Sequence, residues 1–215
     1  MTYLDLVNNV LRRLREEEVS NVSENTFSKM VGDFINDAKK LVENAWDWSM
    51  LRNDVTLSTT QGVATYALEG TQDKVKTLSV INDTSNVVIE YRPYDWFEEQ
   101  TYINGPVSGA PEYYTFNGYD VNNDTQITFY PTPDAAYDIQ LKLVYNNDEL
   151  SANTDTLLIP HAPVMHLAIA LLARERGETG GTSTPEYFAI ADKYLSDAIA
   201  YDAQKHPEDT IWYTP

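Results

Sequence analysis

Three histidines and no cysteine limit the chemistry that this sequence could perform. His161 and His166 are five positions apart, whereas a two-histidine metal motif places both rings on one face of a helix. His206 lies near the predicted end of a helix, where a histidine often only caps backbone carbonyl groups. Without cysteine, thiolate nucleophiles, thiolate metal sites and disulfide bonds are excluded. A serine hydrolase is not indicated either, because the sequence has no Gly-x-Ser-x-Gly elbow.

One acidic segment has the spacing that begins a calcium-binding loop. Asp120, Asn122 and Asp124 match its first three ligand positions. However, Thr125 stands where the loop needs glycine, and Pro131 stands where it needs glutamate. A turn rich in Asn and Asp explains the segment better. The glycines match neither a phosphate-binding loop nor a dinucleotide fingerprint, so we predict no catalytic residue, no metal and no cofactor.

Tyrosine is unusually frequent, with 15 Tyr against 6 Phe and 4 Trp. A tyrosine ring packs against apolar groups while its hydroxyl forms a hydrogen bond, and protein interfaces are rich in tyrosine for this reason. Partly exposed strands of a monomer are the alternative explanation. Near the end of the sequence, Ile211, Trp212 and Tyr213 follow an acidic, polar segment. We expect these three residues to insert into another subunit; the alternative is that they fold back onto the predicted helices.

The formal net charge is −18, from 15 basic and 33 acidic residues. Residues 53–150 hold 4 basic and 15 acidic residues, a net −11, whereas residues 1–52 hold 7 and 9, a net −2. Nucleic-acid binding needs a basic patch that displaces counterions from phosphates, and the sequence has no obvious one. Solubility explains the acidity, and so does a wall that repels passing DNA. No apolar run approaches the ~20 residues of a membrane span, and the first residues lack the pattern of a signal peptide, so a soluble, cytoplasmic protein is expected.

Helical periodicity marks both ends of the sequence. Thr2 and Asp5 have the spacing of a capping box, and apolar residues then recur at helical steps as far as Leu14. A second helix, capped by Ser23, is predicted from an unbroken four–three pattern at Phe27, Val31, Phe34, Ala38, Leu41, Ala45 and Trp48. A third helix should begin near Pro160. The fourth should carry a stripe formed by Tyr187, Ala191, Tyr194, Ala198 and Tyr201.

Between these helical segments the apolar period changes to that of strands. A hairpin is predicted around the turn-forming residues 59–62, with Val55 and Leu57 before the turn and Tyr66 and Leu68 after it. Further along, apolar residues alternate as on a half-buried strand at Ile139, Leu141 and Leu143.

This order of elements predicts an α+β fold. A lone helical hairpin rarely buries enough apolar surface to be stable. We therefore predict a four-helix bundle, formed by the N- and C-terminal helical hairpins, with an inserted antiparallel β-rich domain. The expected boundaries are 1–52 and 160–206 for the bundle, 53–159 for the insert and 207–215 for a C-terminal tail. Packing within the bundle or between subunits is predicted for Phe27, Phe34, Trp48, Tyr187, Tyr194 and Tyr201.

Several short motifs occur in a recognisable order along the chain. Trp46-Asp47-Trp48 ends the N-terminal helices, Gly109–Tyr114 (Gly-Ala-Pro-Glu-Tyr-Tyr) precedes Ile127–Pro133, and Leu158-Ile159-Pro160 enters the third helix. In this order of parts the chain resembles the head-to-tail adaptor, or connector, proteins of tailed bacteriophages, which include the tail tubular protein A-like proteins. The resemblance covers nearly the whole chain.

The resemblance implies a virion structural protein and not an enzyme. Such a protein forms a ring, typically of twelve copies, at the head–tail junction between the portal protein and the tail nozzle protein, after assembly in the host cytoplasm. DNA would pass through the centre of the ring without specific binding, and no membrane would be involved. The C-terminal segment containing Ile211, Trp212 and Tyr213 would contact the portal or a neighbouring subunit.

Two other classes of function remain open at this point. A receptor- or glycan-binding module of a phage tail would use the Tyr- and Trp-rich insert as its recognition surface, but would not explain the helices at both ends. A carboxylate-dependent hydrolase would need two specific acids in one cleft, and the sequence cannot single out such a pair among 33 carboxylates.

Overall fold

A computed structural model describes residues 1–71, 75–177 and 184–205. The chain divides into two compact units, one formed by Met1–Met50 with Asp148–Pro215 and the other by Leu51–Asn147. We call the first the helical unit and the second the β unit. The α-helices of the described residues are α1 (Tyr3–Arg13), α2 (Thr26–Ala45), α3 (Tyr94–Glu98), α4 (His161–Arg176) and α5 (Thr184–Lys205). Of these, only α3 belongs to the β unit.

The core of the helical unit lies among α1, α2 and α4. Each helix buries an apolar face, represented by Leu6 and Val10 in α1, Ile35 in α2, and Val164 and Leu172 in α4. Helix α4 contacts both α1 and α2, which also contact each other. Burying a side chain of this size contributes about 1.5–3 kcal/mol, so these faces are the main source of stability in this unit.

Both N-terminal helices begin at side-chain caps. The predicted capping box of α1 is confirmed, because the Asp5 N–H donates to the Thr2 hydroxyl at 3.2 Å and the Thr2 N–H donates to the Asp5 carboxylate at 3.3 Å. The cap predicted for α2 is wrong, since Asn25 and not Ser23 holds this position. The Ser28 N–H donates to the Asn25 side chain at 2.8 Å, which starts the helix at Thr26.

Residues 148–159 connect the two ends of the helical unit. The Tyr3 N–H donates to the Asp155 carbonyl at 2.8 Å. The Asn36 side chain both donates to the Leu150 carbonyl and accepts from the Leu150 N–H, each at 3.0 Å. These bonds fix the segment to α1 and α2, so that it delivers the chain to the start of α4.

The predicted four-helix bundle is wrong, although the α+β class is consistent with the structure. The described residues contain five α-helices, and α3 lies in the β unit. Helix α5 packs on α4 and, of its described residues, buries only Ala191 and Asp202. Its predicted stripe is only partly buried, since Ala191 is inaccessible but Tyr194 is 42% exposed and Tyr201 is 69% exposed. A bundle requires a buried apolar face on every helix, and α5 does not bury one.

The β unit forms two four-stranded sheets and one two-stranded sheet in its described residues. The strands are β1 (Arg52–Ser58), β2 (Thr65–Ala67), β3 (Val75–Asn82), β4 (Val87–Val88), β5 (Glu90–Tyr91), β6 (Ser108–Gly109), β7 (Tyr113–Tyr119), β8 (Thr125–Tyr130), β9 (Thr132–Pro133) and β10 (Asp138–Tyr145). The strand orders are β1-β10-β3-β4, β2-β8-β7-β5 and β6-β9. Because β5 pairs with β7, and β6 with β9, in parallel, the insert is not purely antiparallel as predicted.

The two larger sheets contribute to one apolar core that includes residues of β3, β7, β8 and β10. The alternation predicted for β10 is confirmed as far as Leu143, because Ile139, Leu141 and Leu143 are buried and Lys142 is exposed. It fails at Val144, which was expected to lie with Lys142 but is also buried, beyond a shift in the pairing with β3. The hairpin predicted around residues 59–62 is wrong. Strand β1 pairs with β10 and β2 pairs with β8, so the turn carries the chain from one sheet to the other.

Candidate functional site

The described histidines both lie on α4, and only His166 packs against other helices; His161 is exposed. His161 begins α4, and the His166 ring stacks on the Tyr194 ring with 4.1 Å between centroids and 8° between planes. Its Nε2 atom lies 3.2 Å from Nη1 of Arg13. Burial lowers the pKa of His166 below the ordinary value, and the nearby Arg13 charge lowers it further. The ring is therefore held in its neutral form and serves as a packing surface; His206 lies outside the described residues.

The acidic segment at 120–124 forms the turn between β7 and β8. One Asp120 carboxylate oxygen accepts hydrogen bonds from the N–H groups of Asn122 and Asp124, at 2.8 and 2.9 Å. Asn123 has a left-handed backbone with φ 67°, a conformation that asparagine tolerates well. These hydrogen bonds explain the calcium-loop-like spacing of Asp120, Asn122 and Asp124 as that of a turn between two strands. Over residues 1–71, 75–177 and 184–205, no group of three metal-ligating side chains is positioned to hold an ion, and no helix is long and apolar enough to cross a membrane.

One side of α5, beside its contact with α4, exposes three large side chains. Ile190 and Tyr194 are each 42% exposed, and Tyr201 is 69% exposed. We call these three residues the α5 face. Surface helices normally turn such residues toward their own core. Here the core is already closed by α1, α2 and α4. Tyr194 stacks on His166 of α4, and the exposed parts of the α5 face are available to another molecule.

Polar and aromatic contacts hold α5 in place. The Tyr194–His166 stack joins its middle to α4. Nearer its start, the Arg174 guanidinium of α4 lies 5.8 Å from the centroid of the Phe188 ring, a cation–π arrangement. Near its end, Asp202 is 4% exposed and bonds to the chain that follows α2. The position of α5 thus depends on a few specific side chains.

Asp202 forms several hydrogen bonds and an ion pair. Its carboxylate accepts hydrogen bonds from the Ser49 N–H at 2.9 Å, the Ser49 hydroxyl at 2.5 Å and the Trp46 indole N–H at 3.2 Å. Lys205 adds an ion pair at 3.5 Å. Burial acts to raise the pKa of Asp202, but the bonds from Ser49 and Trp46 and the charge of Lys205 together lower it below the ordinary value. Asp202 is therefore a fixed negative charge that joins α5 to the end of α2.

The other residues predicted to pack in the bundle or between subunits fall into three classes. Trp48 is fully buried, and its indole N–H donates to the Val42 carbonyl at 2.8 Å, so it supports the fold. Phe27, Phe34 and Tyr187 are half-buried. The predicted stripe of α2 is displaced, because Val31, Ile35, Ala38 and Val42 form the buried face while Leu41 is 53% exposed. Ile211, Trp212 and Tyr213 lie outside the described residues.

A groove of about 370 Å³ lies between the end of α1, α4 and the start of α5. We call it the basic groove, and its lining consists of Arg13, Leu14, Arg15, His166, Ile169, Ala173, Tyr187 and Ile190. Arg15 lies two residues beyond α1 and has a left-handed backbone with φ 60°. The Glu16 N–H then donates back to the Leu11 carbonyl at 3.0 Å, which is a common way to close a helix.

The β unit has a separate aromatic cluster around α3. Trp96 contacts Tyr113 and Tyr130, with ring centroids 4.9 and 5.5 Å away, and the Arg92 guanidinium lies 5.1 Å from the centroid of the Tyr113 ring. Beside this cluster is a second pocket of about 290 Å³, partly lined by Tyr102, which is 78% exposed. The pocket also presents polar groups, from Glu98, Thr101, Asn117, Thr128 and Thr132.

Sequence reasoning missed two features of this site. Asp202 is one of 33 acidic residues, and nothing in its spacing indicates that it meets Ser49 and Trp46, more than 150 positions away. The basic groove combines α1, α4 and α5, so its cations do not form a run in the sequence. The sequence did hold one sign of a local positive surface. Two arginines, Arg12 and Arg13, lie in the last turn of α1 and Arg15 follows them.

Comparison with known proteins gives one family match. The sequence model described as SU10 adaptor protein matches residues 1–210. No curated protein matches the chain.

Proposed function

The chain belongs to the SU10 adaptor protein family, a family of phage head-to-tail adaptors, and from this premise we propose that it forms a ring joining the portal protein to the tail nozzle protein. As a phage adaptor it is a structural protein of the virion that interacts with other head or tail proteins. Twelve copies is the expected number for the ring. The proposed place is the head–tail junction, reached after assembly in the host cytoplasm.

The α5 face is the observation that carries this proposal. A helix of 22 residues that buries only two of its described residues and exposes Tyr201 and Tyr194 has the composition of a protein–protein interface. Tyrosine supplies a large contact area at low entropic cost. Side-by-side copies in a ring would cover this face. The half-buried Phe27 and Phe34 on α2 offer a second surface for the neighbouring copy.

The charge of the chain supports a passage for DNA. Its net charge is −18, and a wall of this sign repels phosphates and lets DNA slide through without stable binding. Phosphate-binding residues along the channel would retard DNA leaving the head. We therefore propose that DNA passes through the centre of the ring without sequence-specific or tight contacts.

Electron microscopy of the purified protein with and without a portal protein tests the proposed ring. The expected images show closed rings of uniform size that stack coaxially on the portal. Monomeric particles under all salt conditions, together with no density added to the portal, would refute both the ring and its position.

The pocket beside α3 supports a second candidate function, glycan or receptor binding by the β unit. Its exposed Tyr102 and surrounding hydroxyl, amide and carboxyl groups are groups that orient a small polar ligand on an aromatic surface. Binding of the monomer to a glycan array, lost in the Tyr102→Ala variant, would favour this function. An adaptor that works only by assembly should show no such binding.

A further inference from the structure

The basic groove is an exception to the acidity of the chain. Among residues 1–71, 75–177 and 184–205, its lining includes Arg13, Arg15 and His166 and no Asp or Glu. Among the described residues, neither guanidinium forms an ion pair with a carboxylate. Arg13 meets the His166 ring instead, whereas Arg12, the adjacent arginine, pairs with Glu18 at 2.9 Å. Two cations without acidic partners, in a chain of net charge −18, make a local site for negative charge.

The rest of the groove is apolar. Leu14, Ile169, Ala173, Tyr187 and Ile190 complete the lining, and Ile190 is 42% exposed. A concave surface that combines apolar side chains with a few charges suits a ligand that has both large apolar groups and carboxylates. The volume of about 370 Å³ accommodates one or two large side chains, not a folded domain.

The chain contains a segment with this combination of side chains. Residues 207–215 include Glu208 and Asp209, then Ile211, Trp212 and Tyr213, and no Lys, Arg or His. An acidic segment is repelled by most of the surface of such a chain and attracted to Arg13 and Arg15. Its aromatic side chains match the apolar lining, since buried Trp and Tyr anchors supply much of the energy of interfaces.

Chain length favours a neighbouring copy as the source of the segment. Ile190 precedes Lys205 by 15 residues of α5, which is about 22 Å of helix at 1.5 Å per residue. From Lys205, Trp212 of the same chain is seven residues away, and a fully extended chain covers at most about 25 Å in that number. The same chain would have to be almost fully stretched along α5 to reach the groove, whereas a neighbouring copy is under no such restriction.

We propose that the basic groove binds segment 207–215 of a second copy of this chain. Each copy then gives one segment and receives one, which is a head-to-tail contact that closes into a ring when the rotation between copies allows it. The inference rests on the proposed function in one respect, that copies of the chain associate. It adds the residues that join one copy to the next.

Complementary full-length variants test whether the contact is made between copies. Arg13→Glu/Arg15→Glu removes the groove charges and keeps the segment, while Ile211→Glu/Trp212→Glu removes the aromatic anchors and keeps the groove. Each variant alone should stay monomeric in light scattering. An equimolar mixture should form dimers and stop there, because only one functional contact remains. A mixture that stays monomeric while wild type assembles would overturn the proposal, as would rings formed by either variant alone.

A matched control separates the groove from a general effect of charge. Lys29→Glu/Lys40→Glu changes the net charge by the same amount on the exposed side of α2 and should assemble as wild type does. Circular dichroism shows whether the arginine variant is folded. If it is not, Ile190→Glu replaces it, because Ile190 lines the groove at an exposed position. The expected results are the same. Loss of assembly in the lysine control as well would assign the effect to net charge and refute the specific contact.

A synthetic peptide of residues 207–215 keeps this test independent of ring formation. Fluorescence anisotropy with the wild-type chain should show saturable binding that weakens roughly tenfold or more in Arg13→Glu/Arg15→Glu, because truncating a paired charge in an interface costs at least this much. Equal binding to both proteins, or none to either, refutes the groove as the receptor. If wild type nevertheless forms rings in electron microscopy, the proposed adaptor function holds and only the groove contact is refuted. If the peptide binds but wild type forms no rings, the groove contact is supported and the proposed ring is refuted.

Discussion

Helices α4 and α5 are consecutive in the chain and pack against each other, yet α4 is mostly buried and α5 is mostly accessible. Most of α4 is inaccessible, and its buried residues include Val164, Ala168 and Leu172. Of the described residues of α5, only Ala191 and Asp202 are buried. Helix α4 is therefore a core element whose substitution should cost stability. Helix α5 is held at a few points and leaves much of its surface exposed. We propose that this surface meets another copy, so its substitution should cost assembly.

The largest difference between the two helices should appear when a leucine is truncated in each. Leu172→Ala in α4 should lower the free energy of unfolding by about 2–5 kcal/mol, because it opens a cavity in a fully buried site. Leu195→Ala in α5, where the side chain is only half-buried, should cost less than about half as much. Urea denaturation followed by circular dichroism measures both. Equal losses would remove the distinction between a core helix and a docked one.

Asp202 should be the exception on α5. Asp202→Ala leaves the Ser49 and Trp46 donors without their acceptor and should lower the free energy of unfolding by about 1–3 kcal/mol. Asp197→Ala, at an exposed position of the same helix, is the matched control and should be neutral within about 0.5 kcal/mol. If both variants are equally stable in urea, α5 is not anchored through Asp202.

The contact between His166 and Tyr194 predicts a pH dependence. The pKa of His166 is lower in the folded chain than its ordinary value of 6.5, so the unfolded chain binds the proton more readily. The stability from the neutral stack is complete above that value and is lost as pH falls through the lower folded pKa. Urea midpoints should therefore fall between pH 7 and pH 5 in wild type and fall less in His166→Gln. Parallel pH profiles for the two proteins would show that the ring does not contribute.

Salt should have the smallest of these effects, and it should act on the association of copies. Subunits of charge −18 repel one another, and at 0.1 M salt this repulsion is screened beyond about 10 Å. Self-association should strengthen as sodium chloride or a divalent cation is added. Salt also weakens attraction, including that proposed between segment 207–215 and Arg13 and Arg15. Light scattering in which the mean mass falls steadily with salt would contradict the expected increase and indicate that such attractive pairs outweigh the repulsion.

The sequence predicts individual elements well because their causes are local. The Thr2–Asp5 capping box and the alternation in β10 depend on residues a few positions apart, and both are confirmed, the alternation as far as Leu143. The hairpin around residues 59–62 failed because the pairing partners of β1 and β2 lie far along the chain. A good local turn signal does not identify which strands pair.

The failure of the four-helix bundle has a related cause. The stripe from Tyr187 to Tyr201 shows that these side chains share one side of α5, but periodicity does not say what that side meets. Tyrosine suits a core and an interface equally, so the same pattern predicted packing within the bundle. The Asp202 contacts and the basic groove were beyond reach for another reason, since each joins residues from distant parts of the chain.

The mass of the Tyr201→Ala variant tests most directly whether the α5 face is where copies of the chain meet. Tyr102→Ala, which removes an even more exposed tyrosine from the β unit, is the matched control. Both variants should unfold within about 0.5 kcal/mol of wild type, as exposed substitutions usually do. The account predicts that wild type and Tyr102→Ala assemble to the mass of a closed ring in mass photometry, and that Tyr201→Ala stays monomeric at the same concentration and salt. Rings of wild-type mass formed by Tyr201→Ala would contradict it.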